Sequence, residues 1–268
     1  MLTLYHFPSS VCAAKVRLVL EEKQLEWESR IIEILRGEQF EAWYVALNQN
    51  AVVPTLVHDG EAVCESAVIC EYLDDVYPEP ALRPADLVDR SVMRIWSSDV
   101  DTYMNGICAG ITYPATHRHE VLKLSPADLQ KFYDGHTDKD KLARRKRLIE
   151  QGYQAPDAKH AVLVYDKFVD KLEERLTETG AWLAGDTYSI ADAAATPYIV
   201  RLDMLNFQDW WRHSRPQLDD WYERIKARPS FMPAMIDIMP KTFVADMGRR
   251  GTACWHEVRD ILQEAYVW

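Results

Sequence analysis

The chain has no paired CxxC spacing, no apolar run of membrane-spanning length and a deficit of positive charge. Each absence removes a class of function. Its five cysteines (Cys12, Cys64, Cys70, Cys108 and Cys254) are odd in number and unpaired in spacing. A disulfide scaffold and a structural zinc site are therefore not expected, no metal ligands are assigned, and a reducing, cytoplasmic setting is the expectation. A bilayer span needs about 18 or more consecutive apolar residues, so an integral membrane protein is not expected either. Residues 1–6 lack the basic and apolar regions of a secretory leader, and none is anticipated. Lys and Arg number 31 against 42 Asp and Glu, a net charge of −11, with a pI near 5.2. A protein that neutralises nucleic-acid phosphates has the opposite balance. What is present is 268 residues of globular composition, 48% hydrophobic, with nine Trp and thirteen Tyr. That length suits one large domain or two small ones, each able to bury a core.

The first eighty residues read differently from the rest. Residues 2–7 form a short apolar run stopped by Pro8, Ser9 and Ser10. From Cys12 to Lys23, Val16, Val19 and Leu20 recur at helical spacing with charges between them. A β-branched segment follows at 28–34, then a short helical pattern at 38–47. Residues 55–58 and 61–64 flank Asp59-Gly60, a pair suited to a type I′ hairpin turn. A third helix runs from Ser66 to about Tyr77. The order β-α-β-α-β-β-α describes a compact α/β unit of thioredoxin type over residues 1–78. Pro78, Pro80 and Pro84 mark a stiff connector. Residues 85–268 then read as all-helical, with helices expected at 86–113, 125–134, 138–150, 156–178, 189–206, 215–227 and 252–266.

Three features carry chemistry. Pro54 cannot donate to a sheet ladder. Either a cis Val53–Pro54 bond turns the backbone of Val53 outward for an extended peptide, or a trans proline begins a strand. Glu65 and Ser66 stand where strand gives way to helix. The helix N-terminus there offers a seat for a carboxylate, with Glu65 beside it for an ammonium, or Ser66 is an ordinary cap. Ser9, Ser10 and Cys12 precede and open the first helix. A hydroxyl there can stabilise a bound thiolate, Cys12 can itself be the nucleophile, or the serine merely caps.

Together these features resemble the cytosolic glutathione transferases over nearly the whole chain. The resemblance rests on residues 10–23, on Val53-Pro54-Thr55-Leu56, and on residues 65–73. In the helical half it rests on Ser189 to Asp192 and residues 221–231. It implies a thioredoxin-like glutathione-binding domain at 1–78, an all-helical hydrophobic-substrate domain at 85–268, and a homodimer. Glutathione is the implied co-substrate. Ser10 falls at the catalytic hydroxyl of serine-type members, with Ser9 next in order. Val53, after which Pro54 follows, pairs with the cysteinyl backbone of glutathione. Glu65 and Ser66 hold its γ-glutamyl end, and Gln39 reaches its glycyl carboxylate. Asp99 or Asp101 is a candidate to reach a partner subunit's glutathione. The chain departs from the family at residues 48–51, Asn-Gln-Asn-Ala, and at Val52, so one side-chain contact to glutathione is missing or supplied from elsewhere.

Residues 57–78, 82–86 and 93–96 look most like the bacterial lignin β-aryl-etherases, which use glutathione to cleave β-aryl ethers of aryl ketones. Other conjugation or dehalogenation, or a non-catalytic binding module, are the alternatives. Trp96, Tyr103, Ile107, Ile111 and Tyr113 recur near helical spacing, which nominates Tyr103, Ile107 and Ile111 as substrate pocket. Trp210, Trp211, Trp255, Tyr266 and Trp268 offer further aromatic walls. The polar stretch 117–154 is expected beside the cleft as a lid. Arg144 to Arg147 reads as a solvated helix face, and His117 and His119 as exposed loop residues.

Overall fold

A computed structural model describes residues 1–136 and 138–265. The N-terminal part follows the expected order. Strand β1 (Leu2–His6) leads into helix α1 (Val11–Glu22), then β2 (Trp27–Ile31), a 3₁₀ turn (Glu38–Phe40), α2 (Ala42–Leu47), the hairpin β3 (Thr55–His58) and β4 (Glu61–Cys64), and α3 (Ser66–Val76). The four strands are ordered β2-β1-β3-β4, with β1 parallel to β2 and antiparallel to β3. This is the thioredoxin-like arrangement.

Helix α1 is the axis of the molecule. Every residue from Val11 to Leu20 is buried, because α3, helix α10 (Ile190–Met204) and the turn at Met232–Asp237 pack around it. Among the charges interspersed in that helical pattern, Lys15 and Arg17 are each only 1% exposed. Their charges are taken up inside: Lys15 pairs with Asp101, and Arg17 reaches the Ala234 carbonyl at 2.7 Å. A helix wedged between two layers has no polar face, so its charged residues need internal partners.

Beyond α3 the chain is helical. Buried Lys23 holds the proline connector by donating to the Tyr77 carbonyl (2.6 Å) and the Pro80 carbonyl (2.8 Å), and pairs with Asp74 at 2.7 Å. The helix expected at 86–113 runs further and less regularly. It comprises α4 (Leu87–Asp99), a π turn (Val100–Met104), α5 (Asn105–Thr112), a second π turn (Tyr113–His117) and α6 (Arg118–Val121). Pro114 lies in the second π turn, where its missing N–H is accommodated by wider winding. Then come α7 (Pro126–Asp134), α8 (Lys139–Gln151), α9 (Pro156–Thr179), α10, α11 (Pro216–Lys226) and α12 (Lys241–Ala265). Sequence reading began the last helix at 252, eleven residues late. Gly248 and Gly251 obscured its first turns, yet both are buried on its inner face. A Cβ on Gly251 would lie 1.9 Å from the Leu205 carbonyl oxygen, so glycine lets α12 approach the end of α10. Among the described residues no helix is long and apolar enough to cross a membrane.

Residues 117–136 and 138–154 form part of the helical layer. His117 is buried, not an exposed loop residue. The basic run on α8 is not a solvated face. Arg144 donates to the Gly106 carbonyl at 2.8 Å, Arg145 stacks 3.9 Å over the Tyr113 ring, and Arg147 grips Asp157 at 2.6 and 2.9 Å. These contacts tie α8 to α5, the second π turn and α9.

Candidate active site

The Val53–Pro54 peptide is cis. The preceding loop is built by Tyr44 of α2 and by Asn48, which sequence reading counted only as a family departure. Asn48 is buried, accepts from the Asn50 N–H at 3.0 Å, and donates to the Val52 carbonyl (3.1 Å) and Thr55 Oγ1 (3.0 Å). The Tyr44 hydroxyl donates to the same Val52 carbonyl at 2.7 Å. The signal for Asn48 was its Asx-turn chemistry, two residues ahead of Asn50. No hydrogen bond to the Val53 backbone is present among the described residues.

Glu65 precedes α3 with φ +67° and ψ 116°, a conformation costly for a non-glycine residue. Asn50 Nδ2 donates to its carboxylate at 2.9 Å. The carboxylate seat at the start of α3 has an occupant from this chain. Asp101 accepts from Ser66 Oγ at 3.2 Å and from the Ala67 N–H at 3.1 Å, and pairs with Lys15. Asp101 therefore turns inward within its own chain, and Asp99 pairs with Lys171 at 2.6 Å.

Ser10 caps α1, its Oγ accepting from the Ala13 N–H at 3.2 Å, and it is half-buried. Ser9 is buried, and its Oγ has no partner. Cys12 is buried, and that burial pushes its thiol above the ordinary value, against the opposing pull of Lys15. A neutral, enclosed thiol is a poor nucleophile. Gln39 is buried in the 3₁₀ turn with its Oε1 unpartnered. Helix α7 packs over this turn: the His136 ring lies 4.9 Å from that of Phe40, and Lys131 pairs with Glu41 at 2.8 Å.

The nominated pocket residues do not form one wall. Tyr103 is 64% exposed, whereas Ile111 is sealed in the core and Ile107 is buried. The π turn at Val100–Met104 adds backbone between Trp96 and Ile107, so the straight-helix face drawn through them does not exist. Trp210 and Trp211 are buried, and their indole N–H groups donate to Asp166 (2.9 Å) and Asp219 (3.0 Å). Trp210 and Trp255 border a surface cleft of about 580 Å³ whose lining includes neither Ser9 nor Ser10. Tyr266 and Trp268 lie outside the described residues. The residues beside Ser9 and Ser10 were missed from sequence: Val200, Arg201 and Met204 of α10, with Met235 and Met239. Apolar residues on a helix buried all round show no one-sided periodicity, so nothing in the pattern marked them.

Among the described residues the Gln39 and Ser9 oxygens and the Val53 backbone lack hydrogen-bond partners, and Asn50 ties the strained Glu65 at the start of α3 to the cis-proline loop.

A two-domain protein with a thioredoxin-like half and this constellation belongs to a definable class. Residues 4–81 match the glutathione S-transferase N-terminal domain and residues 155–224 the glutathione S-transferase C-terminal domain. The chain belongs to the glutathione S-transferase family, whose co-substrate is glutathione. It is 31% identical to Protein LigF of Sphingobium sp. over 234 residues, covering 85% of this chain and 91% of that protein. The crystal structure of beta-etherase LigF matches with a TM-score of 0.77 at 30% identity, covering 87% of this chain and 98% of that one. Tetrachloro-p-hydroquinone reductive dehalogenase of Sphingobium chlorophenolicum is 31% identical over 243 residues, covering 87% and 95% of the two chains. A glutathione S-transferase from Rhodospirillum rubrum matches with a TM-score of 0.63 at 26% identity, over 92% of this chain and 99% of that one.

Proposed function

We propose that this transferase cleaves β-aryl ether bonds in lignin-derived aryl ketones. The observation that carries the reading is the similarity to beta-etherase LigF, which spans both halves in sequence and structure. In this reading Gln39 and Ser66 meet the two carboxylates of glutathione, Val53 its cysteinyl backbone and Glu65 its ammonium. Bound glutathione supplies a thiolate that attacks the carbon bearing the aryloxy group, and a phenol leaves. The chain's task is to hold that thiolate. Ser10, the accessible serine, donates its hydroxyl proton toward the sulfur, and the N-terminus of α1 adds positive potential. Cys12 takes no part, being enclosed and protonated. Asp101 cedes or shares its contact with Ser66 when a ligand carboxylate arrives. The protein acts as a cytoplasmic homodimer, divided near the proline connector into the domains 1–78 and 85–268.

A second reading, reductive dehalogenation, is favoured by the equal identity to the S. chlorophenolicum enzyme. The two are separated by offering a β-aryl ether ketone and a chlorinated hydroquinone in parallel, each with and without glutathione. Glutathione-dependent phenol release from the ether is expected. Halide release alone would assign the chain to the second reading, and turnover of neither substrate would favour a binding module.

A further inference from the structure

Two guanidinium groups lie behind the Ser9–Ser10 turn, and nothing in the transferase reading so far uses them. Arg17 of α1 is 1% exposed and Arg201 of α10 is 4% exposed. All their hydrogen bonds go to neutral groups. Arg17 donates to the carbonyls of Ala234 (2.7 Å) and Pro8 (2.9 Å) and to His6 Nδ1 (3.3 Å). Arg201 donates to the Ser9 carbonyl and to Thr112 Oγ1 (3.5 Å). Neither pairs with a carboxylate among the described residues, unlike buried Lys15 and Lys23 and half-buried Arg215, which meet Asp101, Asp74 and Asp166. Burying like charges side by side without a counter-ion is costly and needs a compensating role. Arg201 Nε and Ser9 Oγ are both buried without partners. Both residues, with Ser10 and Arg17, line a cavity of about 10 Å³, room for one water-sized sphere.

We infer that Arg201, backed by Arg17, is a positioning residue whose charge favours the thiolate form of glutathione held at Ser10. The inference rests on the glutathione-binding reading and adds to it the source of thiol activation. Arg17 and Arg201 grip the carbonyls of Pro8 and Ser9, the two residues before Ser10. Their charges are thereby fixed to the segment that carries the serine. Through a protein interior a fixed charge acts more strongly than through water. The thiol proton leaves to solvent, and the pair stabilises the anion that remains. No neighbouring group competes for this role near neutral pH. Burial, then Arg17, lowers His6 on β1 to about 3. Burial, then Arg201 and Arg145, holds His117 well below its ordinary value. Tyr165 of α9 is held protonated by burial, as is Cys12 of α1. Arg17 itself is lowered to about 9 by burial and then by Arg201, and remains cationic. The Lys15–Asp101 ion pair, also anchored on α1, is internally neutralised.

The test is a pH titration of the thiolate ultraviolet absorbance of glutathione bound to the full-length protein. It compares wild type with Arg201→Gln, Arg201→Lys and Arg17→Gln, each checked for native circular dichroism. Glutamine keeps a donor for the Ser9 carbonyl and removes the charge. Arg201→Gln is expected to raise the bound thiol's pKa by about one unit, a tenfold loss of thiolate at neutral pH, with Arg201→Lys near wild type. Arg17→Gln shifts in the same direction and serves if Arg201→Gln does not fold. Glutamine variants that titrate with wild type overturn the inference. So does an equal rise in Arg201→Lys, which would assign the effect to packing. A wild-type bound thiol that titrates like free glutathione instead overturns the glutathione reading, and this inference with it.

Discussion

Ser10 accepts from the Ala13 N–H, while its hydroxyl proton has no acceptor among the described residues. That proton is the one available to a ligand at the mouth of α1. Ser10→Ala is expected to lower kcat/KM at least tenfold, about 1.4 kcal/mol of transition-state stabilisation, and to cost about 1 kcal/mol of stability through the lost cap. Ser10→Thr keeps both functions. Steady-state kinetics beside urea unfolding separate the two effects. Wild-type turnover in Ser10→Ala would move the role to Ser9. At this scale the sequence was informative where a residue type has few uses: Ser before a helix, Pro after a β-branched pair. It was misleading where charge stood for exposure. His117 read as an exposed loop residue and is buried, as are Lys15 and Arg17, because polarity of a side chain does not report whether an internal partner awaits it.

The elements around the site are held by buried polar groups more than by propensity. Asp192 illustrates this at the start of α10. Its carboxylate accepts from Ser189 N and Oγ, Leu183 N and Trp221 Nε1, at 2.9 to 3.1 Å. Ser189 completes the capping box, and the Ser189–Asp192 spacing made that box legible in advance. Asp192→Ala leaves four buried donors without it, and is expected to destabilise the protein by about 3 kcal/mol or more. Urea denaturation checks this, and a loss below about 1 kcal/mol would mean that water or rotation replaces the network. Other element-scale features were not legible. The π turns at Val100–Met104 and Tyr113–His117 shift the helical register, so a stripe extrapolated at constant period drew Tyr103, Ile107 and Ile111 into one pocket. The basic run on α8 similarly looked solvated, since its partners Gly106, Tyr113 and Asp157 lie on other elements.

At the scale of the whole molecule, one core joins the two halves, and α1 packs between α3 and α10. This burial gives stability a pH dependence. His6 and His117 are held unprotonated in the folded state, by burial first and by Arg17 or Arg201 next. In the unfolded chain each takes up a proton below about 6.5. Their contribution is present above that value and is lost as pH falls, for His6 until about 3. Asp192 opposes the trend. Burial raises it to about 6 against its four hydrogen bonds, so its protonation below that value favours the folded state. Two histidines lose about 2–3 kcal/mol between roughly pH 7.5 and 5.5, of which Asp192 offsets about 1. Urea midpoints are therefore expected to fall over that interval. The double variant His6→Gln, His117→Gln should flatten the fall, and an unchanged slope would show that other groups govern acid sensitivity.

The local sequence determined the order of strands and helices through α3, the hairpin turn, the helix caps and the family to which the chain belongs. These depend on contacts within a few residues, where composition and spacing dictate backbone shape. Tertiary structure alone decided that Asp101 sits at the start of α3, that the tryptophans of residues 210 and 211 fill core, and that Arg17 meets Arg201 beside Ser9. Those partners lie tens to nearly two hundred residues apart, and only the packing of α1 against α10 brings their charges to one site. Trp210 and Trp211, first read as a substrate wall, therefore mark the interior, and the buried Arg17 and Arg201 lie beside the serine turn.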